Sequence, residues 1–215
     1  SASKEAQDEG LRRGMKVSLA RRMSHGAQLL PYNQSLYARL NQYIYSTVQR
    51  FTPIVEPSGY GKFYLDMTGM ERIYKSHEQT GSNISKLVQN HVGLNIVLGI
   101  SQNKLVSRIS TSVVPDTIHR IMVGDETQFL SPLDAPVIPT VHEPTVWKLI
   151  KFLILNQVRQ IQALVNSATD TRRLFGRYAL PLSREVHGQD LSVVRPSVMK
   201  DHIVEQTVLR EDTND

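Results

Sequence analysis

The sequence contains no cysteine among its 215 residues. This absence excludes disulfide bonds, thiolate metal sites and a cysteine nucleophile, and it is typical of proteins in reducing compartments. Long apolar runs are also missing. The longest, residues 149–155, contains Lys151 and is far shorter than the roughly 20 residues that cross a bilayer. We therefore expect a cytoplasmic protein without a membrane span, and no apolar segment near the first residues indicates a signal peptide.

Motifs that identify common enzyme classes are absent as well. The sequence has no GxSxG, no P-loop and no GxGxxG pattern. Its seven histidines are scattered, and no pair has metal-site spacing on a clear helix. The residues alone therefore predict no metal site and no small-molecule cofactor.

Charge is distributed unevenly along the chain. The net charge is +5, and the segments 1–32, 33–143, 144–200 and 201–215 carry +3, 0, +6 and −4. Two basic arms around a neutral middle are typical of a clamp around a polyanion. Arginine and lysine are also ordinary solvated surface residues, so charge alone leaves both interpretations open.

Hydrophobic periodicity predicts an α+β fold. Asn33 is the expected N-cap of one helix, and Ser82 or Asn83 that of a second helix, which Gly93 ends. The remaining pattern predicts strands within 54–67, 94–100 and 118–123, and helices at 103–112, 144–155, 157–166, 170–175 and 178–187. This order predicts one antiparallel or mixed sheet with helices on one face, followed by an all-α region.

Five short motifs, four of them in two parts, follow one another in a recognisable order. They are Ala2-Ser3-Lys4-Glu5-Ala6 with Gly10-Leu11-Arg12-Arg13-Gly14-Met15; Phe51-Thr52-Pro53-Ile54-Val55-Glu56-Pro57 with Tyr64-Leu65-Asp66-Met67-Thr68; Gly99-Ile100-Ser101-Gln102-Asn103-Lys104; Arg173-Leu174-Phe175-Gly176 with His187-Gly188-Gln189-Asp190; and Glu205-Gln206-Thr207 with Glu211-Asp212. Together they resemble the motifs of the Y-family (UmuC/DinB/ImpB/MucB/SamB-type) translesion DNA polymerases.

The resemblance implies a domain order. It predicts a fingers remnant at 1–31, a ferredoxin-like palm at 32–123 with helices on one sheet face, and an all-α, helix-hairpin-type thumb at 124–197. Residues 198–215 would begin a truncated little-finger domain, which agrees with an alternating, strand-like pattern at 203–209. The implied setting is DNA repair and translesion synthesis in the SOS response, in the bacterial cytoplasm or nucleoid.

The resemblance also implies a two-metal site for nucleotidyl transfer, held by carboxylates, and this chain departs from it. The family's Asp-Glu pair aligns with Gly61 and Lys62, where glycine offers no ligand and lysine repels a cation. Asp66 remains, either as a residual ligand or, in our preferred interpretation, as a turn-anchoring group or an ion-pair partner of Lys62. We therefore expect no catalytic residue and no metal in this chain, with Mg²⁺ only if the protein is an active polymerase.

Other nucleotide-contacting and DNA-contacting positions depart from the family pattern too. Lys4 and Gln7 stand where the family has a tyrosine and a triphosphate-contacting arginine. Lys104 is kept, and in the family it lies near the phosphates; without the metals and the arginine it is more simply a DNA-backbone contact or a structural cation. The family's phosphate-holding "PGIG" hairpin reads Pro139-Thr140-Val141-His142 here. These three positions, Lys4, Gln7 and Lys104, are the expected remnant of a phosphate site.

Three functions stay open. The preferred hypothesis is a catalytically degenerate, DNA-binding accessory factor, closest in character to the ImuB-like proteins and working with other repair or polymerase subunits. Its expected DNA contacts are Arg12, Arg13, Arg172, Arg173, Arg177, Arg184 and Lys200. The alternatives are an active translesion polymerase with unusual or upstream metal ligands, and a protein–protein scaffold without DNA contact.

Overall fold

The computed structural model describes residues 3–12, 14–24, 26–70, 72–74, 76–114 and 117–196. The chain divides into two compact units, residues 1–37 and 38–215. The predicted little-finger start at 198–215 lies outside the described residues, and so do Arg13 and Lys200. Among the described helices, none combines the length and the apolar character that a membrane span requires.

The first unit contains two short helices. Helix α1 spans Lys4–Asp8 and α2 spans Val17–Met23. Ser3 caps α1, because its Oγ accepts a hydrogen bond from the amide of Ala6 at 3.3 Å. Leu11 between the helices is buried, while most other side chains of this unit are exposed.

Two longer helices cover a strand pair in the second unit. Helix α3 spans Gln34–Val48, and its predicted cap Asn33 accepts from the amide of Leu36 at 3.0 Å. Helix α4 spans His77–Val92. The core between these helices and the first strands, which we call the strand core, contains Ile44, Val48, Val55, Ile84 and Val88.

The predicted start of α4 is wrong. Ser76, rather than Ser82 or Asn83, caps the helix by accepting from the amide of Gln79 at 3.3 Å. Gly81 lies inside the helix, where a Cβ atom would stand 3.5 Å from the side chains of Ile118 and Leu98. A Cβ atom would make ordinary van der Waals contact there, so packing does not require the glycine, although in the sequence Gly81 has the appearance of a helix boundary. The predicted end is confirmed, since Gly93 closes α4 in the left-handed conformation at φ 72°.

The strands form two separate pairs. Strand β1, Val55–Pro57, runs antiparallel to β2, Phe63–Leu65, with Glu56 opposite Tyr64. Strand β3, Leu98–Ile100, runs parallel to β4, Ile118–Arg120. The described residues thus contain two pairs in place of the single sheet that we expected, and residues 94–97 precede β3 without strand pairing. The fold class is α+β, as the sequence predicts.

The all-α region follows the predicted order closely. Helix α5, Lys104–Val113, lies between β3 and β4. The all-α region after β4 contains α6 Glu126–Leu130, which was not predicted, α7 Pro144–Phe152, α8 Val158–Val165, α9 Ala168–Phe175 and α10 Ala179–Val186, with 3₁₀ segments at Ala135–Val137, Pro139–His142 and Gly176–Tyr178. Leu105, Val106 and Ile109 of α5 pack into the same core as these later helices, which we call the helical core. Helix α5 also packs directly on β3.

Gly99 sets how closely α5 approaches β3. A Cβ atom at Gly99 would collide with Ser110 Oγ and the backbone oxygen of Ser107. We expect Gly99→Ala to lower the unfolding free energy by about 1–3 kcal/mol, because helix and strand would have to separate. Urea unfolding measures this, with Gly26→Ala as control, since a Cβ atom at Gly26 meets no atom within 4 Å. An unchanged urea midpoint for Gly99→Ala would contradict the close packing.

Candidate functional site

The positions aligned with the family's Asp-Glu pair lie in the turn between β1 and β2. Gly61 has φ +68°, a conformation that glycine adopts without strain, and its amide donates to Asn41 Oδ1 at 2.7 Å. The amide of Ser58 donates to the oxygen of Lys62 at 2.8 Å and closes the turn. Gly61 and Lys62 are both exposed. The positive φ that the turn requires therefore accounts for the glycine at position 61.

The described residues do not fit a two-metal centre at this hairpin. Asp66 Oδ1 accepts a hydrogen bond from the amide of Thr68 at 2.9 Å, so this carboxylate anchors the turn after β2. Glu56, the acidic residue of β1, forms an ion pair with Lys104. Within the described ranges, no group of three or more His, Cys, Asp or Glu side chains is arranged to hold a metal ion.

Glu56 connects three segments that are distant in sequence. Lys104 Nζ lies 3.1 Å from Glu56 Oε1 and 3.0 Å from Oε2. The amide of Arg195 donates to Oε2 at 2.7 Å. The Lys104 ammonium also stands 5.4 Å from the centre of the Tyr64 ring, which faces Glu56 across the hairpin. Lys104 is thus a partner of a carboxylate and an aromatic ring, and its side chain is 16% exposed.

The environment of Glu56 favours its charged form. Burial by itself raises the pKa of Glu56, but the hydrogen bonds from the Arg195 amide and Lys104 outweigh it and leave the pKa below the usual 4.5. The ion pair is therefore intact at neutral pH. The sequence analysis did not identify Glu56 as a site residue. The alternation of side chains along the two strands, which places Glu56 and Tyr64 on the same face of the hairpin, was a usable indication.

The motifs around Asn103 and Asp190 meet at the N-terminus of α5. Asn103 Oδ1 caps the helix by accepting from the amide of Val106 at 3.0 Å, and its Nδ2 donates to the oxygen of Gly188 at 2.7 Å. Asp190 Oδ2 accepts from the amide of Leu105 at 3.1 Å. Two segments about 85 residues apart are therefore locked together by the polar side chains of their motifs.

A cleft of about 560 Å³ opens beside these contacts. Its lining carries three cations, Lys104, Arg108 and Arg184, and three acids, Glu56, Glu185 and Asp190. Glu185 Oε2 accepts from the amide of Thr140 at 2.8 Å, in the segment aligned with the family's phosphate-holding hairpin. A carboxylate therefore already occupies an amide that a phosphate would use, and the mixed charge of the cleft gives it no strong preference for anions.

The other predicted contacts are distributed over both units. Gln7 and Arg12 are exposed in the first unit, and only the backbone of Lys4 in α1 is described. Arg172 and Arg173 are exposed in the last turn of α9. Arg177 Nη2 donates to Tyr178 Oη at 2.6 Å, and this hydrogen bond raises the pKa of the guanidinium. Arg172 and Arg173 thus remain the best-placed cations of this set for an external anion.

Comparison with known proteins gives consistent matches. Residues 1–112 match the model of the impB/mucB/samB family. The chain is 29% identical to a DNA polymerase IV of Dehalococcoides mccartyi, over 99% of its own length and 54% of the relative. The chain is 27% identical to a DNA polymerase IV of Desulfatibacillum aliphaticivorans, over 91% of its own length and 49% of the relative. The chain therefore spans about half the length of the curated relatives it matches.

Solved structures share the fold. A DinB family error-prone DNA polymerase from Sulfolobus solfataricus superposes with a TM-score of 0.76 at 19% identity, over 90% of this chain and 58% of that one. The insertion ternary complex of Dbh DNA polymerase superposes with a TM-score of 0.74, also at 19% identity, over 89% of this chain and 56% of that one. The fold is therefore that of the Y-family polymerases, as the sequence resemblance predicts.

The Glu56 contacts generate a pH prediction. Because its folded pKa lies below 4.5, Glu56 contributes stability that is complete above that pH and is lost as the pH falls through the lower folded value. We expect Glu56→Gln to reduce the unfolding free energy by about 1 kcal/mol at pH 7, and the difference from wild type to shrink towards pH 3. Urea unfolding at both pH values measures it. Glu9→Gln, at an exposed position, is the control. A difference that is the same at both pH values would contradict the charged contact.

Proposed function

The chain belongs to the impB/mucB/samB family, and from that premise we propose that it is the DNA-binding part of a translesion-type DNA polymerase or polymerase relative. The observation that carries this proposal is the collinear similarity to DNA polymerase IV proteins over nearly the whole chain. The charge of +6 in residues 144–200 supports it, since sequence-independent affinity for DNA comes mainly from cations facing phosphates.

Templated DNA synthesis by the longer protein is the activity we favour. Its support is that the relatives of this chain are DNA polymerase IV proteins. Because the described residues of this chain do not fit the metal site, the carboxylates for such a reaction would have to come from elsewhere in the longer protein. The contribution of this chain is then to bind and orient the DNA.

A catalytically silent accessory role is the second candidate. It is favoured by one observation, the exposed turn in which Gly61 and Lys62 replace the family's two acids. In that case other repair or polymerase subunits would supply the chemistry, as partners of this chain. A bacterial cytoplasmic location and a place in the SOS response are predictions under either candidate.

The binding proposal predicts a large effect of charge reversal on α9. We expect Arg172→Glu with Arg173→Glu to weaken binding to a primer–template duplex and to lower the slope of log K against log salt by about 1.8, at roughly 0.9 for each lost phosphate contact. Fluorescence anisotropy at several salt concentrations measures both. Arg72→Glu with Lys86→Glu, at exposed positions outside α9, makes the same charge change as a control. Equal losses in the two double variants would contradict a DNA contact at α9.

Primer extension separates the two candidates. We expect the full-length protein to add templated nucleotides to a primer in Mg²⁺ or Mn²⁺. Binding without any extension in either metal would overturn the polymerase activity and favour the accessory role. No binding to DNA at any salt concentration would contradict the proposal as a whole and favour a protein scaffold.

A further inference from the structure

Helix α7 ends in an unusual way. The amide of Leu155 donates to the oxygen of Ile150 at 2.9 Å, and the amide of Ile154 donates to the oxygen of Lys151 at 3.2 Å. These two bonds form a Schellman motif, in which the residue after the C-cap takes a left-handed conformation and is usually glycine. Here that residue is Ile154, at φ +56°.

The isoleucine is strained at this position. A β-branched side chain disfavours the left-handed region, and among the described residues Ile154 is the sole residue other than glycine with positive φ. Its side chain does not recover this cost by packing, because it is 70% exposed. Strain that packing does not offset suggests a function for the side chain that causes it.

A second large apolar side chain is exposed beside it. Phe152 is 81% exposed and lies one turn after Lys148, on the same face of the helix. A slot of about 260 Å³ opens nearby, with Trp147, Pro136 and Leu155 in its wall and Asp134 as its acid. The Lys151 ammonium stands 4.6 Å from the centre of the Trp147 ring. We call Lys148, Lys151, Phe152 and Ile154 the α7-end surface.

The sequence around this surface is basic and favours a polyanion, with Asp134 as the one acid among the residues that line the slot. From residue 144 to residue 169 the chain contains Lys148, Lys151 and Arg159 and no aspartate or glutamate. Exposed aromatic rings among cations are how proteins bind single-stranded nucleic acid, since bases stack on the ring while cations contact phosphates. Paired bases in a duplex hide their faces in the stack, so an exposed Phe152 has little to offer duplex DNA.

Resting on the proposed function, we infer that the α7-end surface is a second DNA site, specific for single strands. One unstacked base lies on the Phe152 ring against Ile154, and Lys148 and Lys151 contact the adjoining phosphates. Its residues belong to α7 and the turn after it, whereas the proposed duplex contact uses Arg172 and Arg173 of α9. It would hold an unpaired stretch of the same DNA that the polymerase-type protein binds as a duplex.

Anisotropy of a labelled dT16 oligonucleotide and of a blunt duplex tests the inference on the full-length protein. Loss of one stacked base should weaken dT16 binding about fivefold or more in Phe152→Ala. Duplex binding should stay unchanged. Ile73→Ala removes another exposed apolar side chain and should change neither. Lys148→Gln with Lys151→Gln should lower the salt slope for dT16 by about 1.4, at roughly 0.7 for each phosphate.

Ile154→Gly separates function from stability. Glycine relieves the left-handed strain, so this variant should unfold at a higher urea concentration than wild type and yet bind dT16 more weakly. A variant that is more stable and binds dT16 as well as wild type would overturn the assignment of Ile154 to the site.

The remaining outcomes are distinct. Wild-type affinity of Phe152→Ala for dT16 would overturn the inference and point to a protein partner for this surface. Equal loss of dT16 and duplex binding would overturn its single-strand specificity. A wild-type protein that binds neither DNA contradicts the proposed function, whereas duplex binding without any dT16 binding contradicts this inference alone.

Discussion

The carboxylate of Glu56 receives the ammonium of Lys104 at 3.0 Å and the amide of Arg195 at 2.7 Å. These contacts tie the β1–β2 hairpin to the start of α5 and to the segment that follows α10. Asn103 and Asp190 add two further contacts at the same helix terminus. Since α5 packs into the helical core while β1 belongs to the strand core, this small polar cluster is one link between the two cores, beside the packing of α5 on β3 and of α4 on β3 and β4.

This cluster changes how the motifs of the chain are understood. Residues of the Gly99–Lys104 and His187–Asp190 segments resemble a polymerase family, and the resemblance alone assigned Lys104 to a phosphate. In the structure Lys104 neutralises Glu56, Asn103 caps a helix, and Gly99 allows that helix to approach a strand. Each role is a requirement of the fold. The motifs are therefore explained by the fold itself, and the proposed DNA binding rests on other, exposed cations.

Much of this was accessible from the sequence. Apolar spacing predicted the helices of the all-α region, and Asn33 and Gly93 marked two helix ends, because capping is a local interaction. The start of α4 was missed because Gly81, which lies inside the helix, has the appearance of a helix boundary in the sequence. Glu56 was missed because its partners Lys104 and Arg195 are distant in sequence. The turn at Gly61 and the strained Ile154 depend on backbone dihedral angles, which side-chain patterns do not specify.

A double-mutant cycle between Glu56 and Lys104 tests the central claim most directly. Unfolding free energies of Glu56→Gln, Lys104→Met and the double variant give the energy with which the two side chains depend on each other. A partly buried, charge-assisted contact that joins two cores predicts a coupling of about 1 kcal/mol or more at pH 7. Additive effects, with a coupling below about 0.3 kcal/mol, would contradict the claim that this ion pair ties the β1–β2 hairpin to the start of α5.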